Sequence, residues 1–180
     1  FVNVSFGYSD DQQVLHDISI SIPAGSTVAI VGRTGSGKTT LARLISRLWD
    51  PSNGTIKIDG ENLTGLSLRE TRSEIAVVPQ DPFLFSMSIE DNVRFGLDSL
   101  ENDATIHRDA PQLSLSSGEP LSRRDQVLQA LKIAGLDEDL KTLVNGIDTL
   151  VGERGVTLSG GQKQRVTIAR ALIMDPRILI

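Results

Sequence analysis

The sequence predicts an α/β fold with a mostly parallel sheet, and three observations lead to that class. An apolar run over 27–32 shows no alternation, which is typical of a strand buried on both faces of a parallel sheet. A glycine-rich loop and a helical pattern follow it directly, and a second apolar strand pattern, stopped by Pro79, lies at 75–80. Strand, glycine loop, helix and strand in this order indicate helices packed on a parallel sheet.

The first part of the chain alternates apolar and polar residues, which predicts half-buried strands. A turn over 23–25 separates these strands from the apolar run. Further on, Asp59-Gly60 has the form of a two-residue hairpin turn. Together these elements predict a β subdomain with antiparallel strands. The alternating apolar positions are Val2, Val4 and Phe6, and then Ile18, Ile20 and Ile22.

Helices are predicted by apolar residues at helical spacing and by capping residues. Asp50-Pro51 ends a first helix, and Ser88 and Ser122, each followed three residues later by aspartate, begin two others. Helical patterns also cover 127–144, with a break at Gly135, and 166–173, before Asp175-Pro176 leads into a last strand. Residues 98–121 are rich in Ser, Pro and Asp and predict a mobile insertion. The first helix has one apolar face, formed by Leu41, Leu44, Ile45 and Leu48.

Composition fits one globular domain and excludes several functional classes. The 180 residues are 39% hydrophobic and 23% charged, and the net charge of −5 argues against a nucleic-acid partner. The absence of cysteine excludes disulfides and thiolate metal sites. No apolar run reaches the roughly 18 residues that span a bilayer. Because both ends fall inside strand patterns, we expect the chain to be a segment of a longer protein.

The glycine-rich loop Gly32–Thr39 follows the pattern G-x-x-x-x-G-K-[ST], between a strand and a helix. Its glycines would adopt positive φ and turn N–H groups inward as an anion nest, at the positive end of the helix dipole. Lys38 would reach β- and γ-phosphate oxygens, and the Thr39 hydroxyl would ligate Mg²⁺. The alternative, a chance glycine-rich turn, is disfavoured by the strand before it and the helix after it. The predicted nucleotide-binding residues are Gly32, Arg33, Thr34, Gly35, Ser36, Gly37, Lys38, Thr39 and Thr40.

A second glycine-rich helix start, Leu158–Gln162, reads LSGGQ. Ser159 can cap the following helix while Gly160 and Gly161 expose their N–H groups, which makes another anion site. GTPases, kinases, helicases and transport ATPases share the first loop, so this second motif discriminates among them. It is identical to the signature of the ATP-binding cassette (ABC) family, which the chain resembles throughout except in the 98–121 insertion.

The resemblance implies a P-loop NTPase (RecA-like) core with an α-helical signature subdomain. It also implies that two such domains pack head to tail, with ATP and Mg²⁺ held between Gly32–Thr39 of one and Ser159–Gln162 of the other. Tyr8 matches the aromatic residue that stacks on adenine, although it could be an exposed strand tyrosine. Gln80 matches the Q-loop glutamine that contacts Mg²⁺ and the attacking water, although it could be an ordinary loop amide. The implied catalytic residues are Lys38 and Gln80, the metal-binding residues are Thr39 and Gln80, and the signature residues are Ser159, Gly160, Gly161 and Gln162.

Two further segments bear on a membrane partner. Phe83, Leu84 and Phe85 either belong to the core or fit a groove that accepts a coupling helix of a membrane domain. The segment 151–155, VGERG, resembles exporter-type members, with Glu153 facing the membrane domains or simply solvated. We interpret Trp49 as a packing residue and assign no role to His16 or His107. Lys163, Arg165 and Arg170 are interpreted as a polar helix face.

We expect one ABC domain over 1–180, incomplete at its C-terminus. Its predicted parts are a β subdomain with the P-loop core (1–64), a core strand with the Q-loop (65–85), a helical subdomain (86–165) and a return to the core (166–180). The family pattern continues after Ile180 with an aspartate, a glutamate and a histidine, so this segment alone should have negligible ATPase activity.

The expected function is ATP hydrolysis coupled to solute export, at the cytoplasmic face of a membrane. The expected partners are a second nucleotide-binding domain, identical or different, and membrane domains in the same parent chain, without nucleic acid. Three alternatives stay open: a soluble ABC ATPase acting on DNA or ribosomes, an importer-type ABC ATPase, and a P-loop kinase outside the family.

Overall fold

The computed structural model describes residues 1–9, 11–101, 121–152 and 157–180. These residues form two compact units, Phe1–Arg72 and Ser73–Ile180. Most of the predicted insertion over 98–121 lies outside the described residues, and so do His107 and Glu153. Within the described ranges, no helix combines the length and the apolar character needed to cross a membrane.

The first unit contains a three-stranded antiparallel sheet in the order β2-β1-β3. Its strands are β1 (Val2–Ser9), β2 (Gln12–Ile18) and β3 (Asn53–Thr55). The predicted alternation is confirmed in the middle of β1, where Val4 and Phe6 are buried. Val2, however, is about half exposed. The buried core of this unit consists of Val4, Phe6, Leu15, Leu41, Leu44, Ile56 and Leu63.

Two strand predictions in this unit are wrong. The strand expected over Ile18–Ile22 ends at Ile18, and the apolar run 27–32 forms no strand. Val31 in that run is 91% exposed. A buried strand needs a neighbouring backbone to satisfy its N–H and C=O groups, and no strand of the described ranges pairs with this run. An apolar sequence alone therefore does not make a strand here.

Helix α1 (Lys38–Ile45) buries Leu41 and Leu44 as predicted, but it ends before Asp50-Pro51. Arg47 adopts the left-handed conformation, with φ of 48°. The N–H of Arg47 donates to the carbonyl of Leu44, and the N–H of Leu48 donates to the carbonyl of Arg43. These two bonds form a Schellman motif, which stops the helix and leaves Leu48 exposed.

The hairpin prediction is confirmed by strands β4 (Lys57–Ile58) and β5 (Glu61–Asn62), which are antiparallel. Asp59 and Gly60, which connect the two strands, both have positive φ, as a type I′ turn requires. A 3₁₀ turn at Leu63–Gly65 and helix α2 (Leu68–Ser73) follow.

The second unit is mainly helical. Its strands β6 (Ile75–Ala76) and β7 (Ile178–Leu179) form a parallel pair, which is the only parallel pairing within the described ranges. Its helices are α3 (Ile89–Glu101), α4 (Arg123–Ile133), α5 (Asp137–Thr142) and α6 (Gly160–Leu172), with a 3₁₀ turn at Gly146–Asp148. The core is lined mainly by residues of α3, α4 and α6, including Ile89, Val93, Leu97, Val127, Ala130, Leu131, Val166 and Ala169.

Local signals placed these helices correctly. Ser88 and Ser122 accept hydrogen bonds from the N–H groups of Asp91 and Asp125, at 3.0 and 3.2 Å, and begin α3 and α4. Gly135, with φ of 77°, separates α4 from α5. These signals succeeded because caps and left-handed breaks depend on neighbouring residues alone.

Candidate functional site

We call Gly32–Thr39 the P-loop and Leu158–Gln162 the signature turn. The P-loop contains two glycines with left-handed backbone, Gly35 at φ 83° and Gly37 at φ 87°. The expectation of positive φ is confirmed for both but is wrong for Gly32. A Cβ at Gly32 would lie 2.6 Å from the Ser36 hydroxyl oxygen, so a larger residue there would require the Ser36 side chain to move.

Lys38 begins α1, and its ammonium lies over the P-loop. The Nζ atom donates to the carbonyl oxygens of Gly32 at 2.9 Å and Arg33 at 2.8 Å. The N-cap residue, Gly37, has no side chain to satisfy the N–H groups of the first helical turn. The Lys38 ammonium and the N–H groups of the helix N-terminus therefore lie at the same exposed loop. This combination is typical of a phosphate-binding site.

The other predicted P-loop residues divide by exposure. Arg33, Thr34, Ser36 and Thr39 are exposed, so the Thr39 hydroxyl is available as an oxygen ligand. Mg²⁺ prefers oxygen ligands, including hydroxyl and amide oxygens. Thr39 provides a hydroxyl oxygen and Gln80 an amide oxygen, and both side chains are exposed. Thr40 is 5% exposed, so its side chain faces the interior of the unit and not the loop surface.

Tyr8 lies beside the first turn of α1. Its hydroxyl is 3.1 Å from the Thr40 hydroxyl and accepts a hydrogen bond from Arg43 at 3.1 Å. The hydrogen bond to Thr40, and then the hydrogen bond and charge of Arg43, hold the pKa of Tyr8 below its usual value against the opposing effect of burial. The ring is 43% exposed and meets the rings of Phe6 and Trp49 edge to face, at 5.0 and 5.8 Å.

The signature turn is held by a capping box. Ser159 Oγ accepts from the N–H of Gln162 at 3.2 Å, and Gln162 Oε1 accepts from the N–H of Ser159 at 2.9 Å. The prediction that Ser159 caps the following helix is confirmed. Sequence reasoning did not foresee that Gln162 closes the second half of the box, although the pattern Ser-x-x-Gln was visible.

Gly160 and Gly161 have no internal reason to be glycine. Both are exposed, neither has positive φ, and a Cβ built on either would meet no atom within 4 Å. Crowding within the described chain therefore does not select these glycines. Their exposed backbone is open to a molecule approaching from outside, as at other glycine-rich anion sites.

Asn92 and Arg170 form a polar centre that sequence reasoning missed. Asn92 is fully buried, and its side-chain amide accepts from the N–H of Phe85 and donates to the carbonyls of Phe85 and Ser88. Arg170 donates to Asn92 Oδ1 and to the Phe83 carbonyl, at 2.8 and 3.0 Å. The interpretation of Lys163, Arg165 and Arg170 as a polar helix face, with no specific role for two of the three, leaves room for these specific contacts of Arg170. Burial lowers the pKa of its guanidinium.

The three residues of the segment 83–85 have different surroundings. Leu84 packs against the core, and the Phe85 ring meets the Phe95 ring at a tilt, with centroids 4.6 Å apart, beneath the Arg170 guanidinium. Phe83 is 63% exposed and borders a groove of about 370 Å³. The groove is also lined by Val151, Gly152, Leu158 and Lys163.

The predicted site residues thus fall into two groups. The P-loop residues and Tyr8 come together in the first unit, where Thr40 joins Tyr8 to α1. Gln80, exposed after Pro79, and the signature turn belong to the second unit. Each unit therefore carries one glycine-rich helix N-terminus.

Comparison with known proteins identifies a family. The family described as ABC transporter matches residues 15–180. The chain is 44% identical over its whole length to the uncharacterized ABC transporter ATP-binding protein YknV of Bacillus subtilis, of which it covers 26%. It is 40% identical, over 99% of its length, to the mitochondrial iron-sulfur clusters transporter atm1 of Neurospora crassa, of which it covers 22%.

A solved structure agrees with this assignment. The chain matches a bacterial Atm1-family ABC exporter with ATP bound, at a TM-score of 0.81 and 41% identity. The match covers 99% of this chain and 27% of the exporter chain. The chain therefore spans only about a quarter of the length of these relatives.

Proposed function

The chain belongs to the ABC transporter family, and we propose that it is the nucleotide-binding domain of an exporter. In this role it binds and hydrolyses ATP with Mg²⁺ and couples that reaction to the movement of a solute across a membrane. The observation that carries the proposal is the pair of glycine-rich helix N-termini, one with a lysine over the loop and one with two unobstructed glycines. The names of the Neurospora transporter and the bacterial exporter support export.

On the P-loop side, the N–H groups at the start of α1 and the Lys38 ammonium would bind the phosphates. Within the described residues, Lys38 Nζ donates to two carbonyls of an exposed loop, and it can exchange them for phosphate oxygens without loss of core contacts. Thr39 and Gln80 would ligate Mg²⁺, which supplies charge neutralisation at the phosphates when bound. Tyr8 would stack on the adenine with the exposed part of its ring.

The signature turn would act on nucleotide held by a second domain. The Ser159 hydroxyl and the N–H groups of Gly160 and Gly161 would complete a site whose phosphates lie in the partner's P-loop. ATP would then join the two domains, and hydrolysis would weaken the interface by removing the γ-phosphate. The partner is a second nucleotide-binding domain, either identical or different.

We further propose that the groove beside Phe83 receives a helix from a membrane domain. An aromatic ring that is mostly exposed at the edge of a groove favours a protein contact there. The domain would then lie at the cytoplasmic face of a membrane. The same proposal includes a RecA-like core with a mostly parallel sheet, and the division of the chain at residues 64, 85 and 165.

The alternatives are not favoured. The net charge of −5 does not suit a DNA or ribosome surface. The transporters that this chain resembles do not support an importer, and a P-loop kinase would leave the signature turn without a use.

A fluorescence binding experiment tests the proposal. Trp49 is the only tryptophan of the sequence, and its ring centroid lies 5.8 Å from that of Tyr8, so it can report on a nucleotide bound there. We expect Mg-ATP to change Trp49 fluorescence in a saturable way in the 180-residue chain, and Lys38→Ala to abolish that change. Absence of ATP binding in both fluorescence and calorimetry would contradict the proposal. We also expect this chain alone to turn over ATP negligibly, and steady-state turnover that Lys38→Ala abolishes would show that expectation to be wrong.

A further inference from the structure

Asp139, on α5, connects that helix to the signature turn. Its Oδ1 accepts a hydrogen bond from Gln162 Nε2 at 3.1 Å, and its Oδ2 pairs with Arg165 Nη1 at 2.8 Å. Both carboxylate oxygens therefore point to the first two turns of α6. Asp139 lies outside both glycine-rich motifs.

The contact with Asp139 fixes which end of the Gln162 amide faces the helix start. A carboxylate accepts hydrogen bonds and does not donate them, so it selects the Nε2 end of Gln162. The Oε1 end then accepts from the N–H of Ser159 at 2.9 Å. If the amide turned around, two donors would face each other at Ser159 and the capping box would open.

The orientation of Gln162 determines what the signature turn offers to a ligand. The box consumes the N–H groups of Ser159 and Gln162. The Ser159 hydroxyl proton and the N–H groups of Gly160 and Gly161 are left for an anion. Arg165 neutralises Asp139, so the carboxylate does not leave an unbalanced negative charge near this helix N-terminus.

We propose that Asp139 is a positioning residue that orients Gln162 and thereby keeps the signature turn in the form that meets the nucleotide. This inference rests on the proposed function, because it gives the turn a ligand. Asp139 also lies in the first turn of α5, where any carboxylate interacts favourably with the helix dipole and stabilises the helix. A purely structural role of that kind must therefore be separated from positioning.

Glu138 provides the matched control. It is the neighbouring carboxylate in the same turn of α5, and it pairs with Lys141 at 2.5 Å within that helix. Glu138→Ala therefore removes a charge and an ion pair from α5 without removing a contact to α6.

The test uses the full-length protein that carries this domain, with ATP turnover measured as kcat and KM. We expect Asp139→Ala to lower kcat roughly tenfold while labelling of the P-loop side by a photoreactive ATP analogue is unchanged. Asp139→Asn, which keeps an acceptor for Gln162, should retain most of kcat. Glu138→Ala should retain wild-type kcat.

A double-mutant cycle gives the sharpest readout. If Asp139 acts through Gln162, then Asp139→Ala should add nothing to the loss caused by Gln162→Ala. Additive losses, or equal losses in Asp139→Ala and Glu138→Ala, would overturn the inference. Unchanged kcat in Asp139→Ala would also overturn it. Should Asp139→Ala fail to fold, Asp139→Leu, which also removes the acceptor for Gln162, takes its place in the cycle with Gln162→Ala.

Failure of the proposed function would look different. In that case Gly161→Ala would leave ATP turnover unchanged, whatever Asp139 does. If Gly161→Ala lowers turnover while Asp139→Ala does not, only the positioning role is contradicted.

Discussion

The two glycine-rich helix N-termini are built in opposite ways. At α1 the N-cap is Gly37, in left-handed conformation and with no side chain to cap the helix. At α6 the N-cap is Ser159, which forms a complete capping box with Gln162. The first terminus thus leaves its N–H groups to a ligand, whereas the second satisfies part of its own.

This difference indicates different tasks for the two termini. The P-loop combines uncapped N–H groups with the Lys38 ammonium, so it can bind a polyphosphate by itself. Among the described residues, the hydroxyl of Ser159 and the N–H groups of two glycines of the signature turn stay available to a ligand, and Arg165 on the same helix is paired with Asp139. The signature turn therefore suits a nucleotide that another domain already holds.

The largest effect is expected at Lys38. Lys38→Ala should lower ATP turnover of the full-length protein at least about 100-fold, because it removes the positive charge from the phosphate site. The melting temperature should hardly change, since Nζ contacts only exposed loop carbonyls. Steady-state ATPase assays and thermal unfolding check both statements.

Lys57→Ala serves as the control, because Lys57 is an exposed lysine of the same unit on β4. Its turnover should equal that of the wild type. Wild-type turnover in Lys38→Ala would mean that the P-loop does not bind the reacting phosphates.

An intermediate effect is expected at Gly161. Gly161→Ala should lower ATP turnover roughly tenfold or more, because the new methyl group stands where the partner's phosphate approaches. Stability should stay equal or rise by up to about 1 kcal/mol, since alanine favours helix and the Cβ meets nothing within the chain. Loss of activity with gain of stability would separate function from packing.

Gly65→Ala is the matched control for Gly161. Gly65 also has no positive φ and open space at its Cβ, but it belongs to a 3₁₀ turn that is part of neither loop. Its turnover should not change. Full activity in Gly161→Ala would remove the reason given for the exposed glycines.

The smallest effect is expected at the hydroxyl of Tyr8, the only tyrosine of the chain. The hydrogen bonds of the Tyr8 hydroxyl with Thr40 and Arg43 lower the pKa of Tyr8, so Thr40→Val and Arg43→Ala should each raise that pKa toward its usual value. Alkaline titration of phenolate absorbance in the 180-residue chain measures this directly. Identical titration curves in the wild type and both variants would show that Tyr8 is not held against α1.

Sequence reasoning succeeded where the physics is local. The caps at Ser88, Ser122 and Ser159 and the hairpin turn at Asp59-Gly60 each depend on a few neighbouring residues. The P-loop glycines at positive φ were predictable for the same reason.

Prediction from the sequence failed where the local structure depends on residues far away in the sequence or on a rare backbone conformation. The run 27–32 lacks a pairing strand in the described residues, and α1 ends at a left-handed arginine, a conformation that few non-glycine residues adopt. Arg170 is half-buried because Asn92, far away in the sequence, accepts its hydrogen bonds. Asp139 likewise meets Gln162 only after α5 and α6 have packed.

The central claim is that one nucleotide is bound by the P-loop of one domain and the signature turn of another. A cryo-EM structure of the full-length protein trapped with ATP tests it directly. We predict that Ser159 Oγ and the N–H groups of Gly160 and Gly161 lie about 2.7–3.2 Å from γ-phosphate oxygens of a nucleotide whose phosphates contact Lys38 of the opposite domain. A nucleotide bound at Lys38 with the signature turns facing solvent would contradict the account.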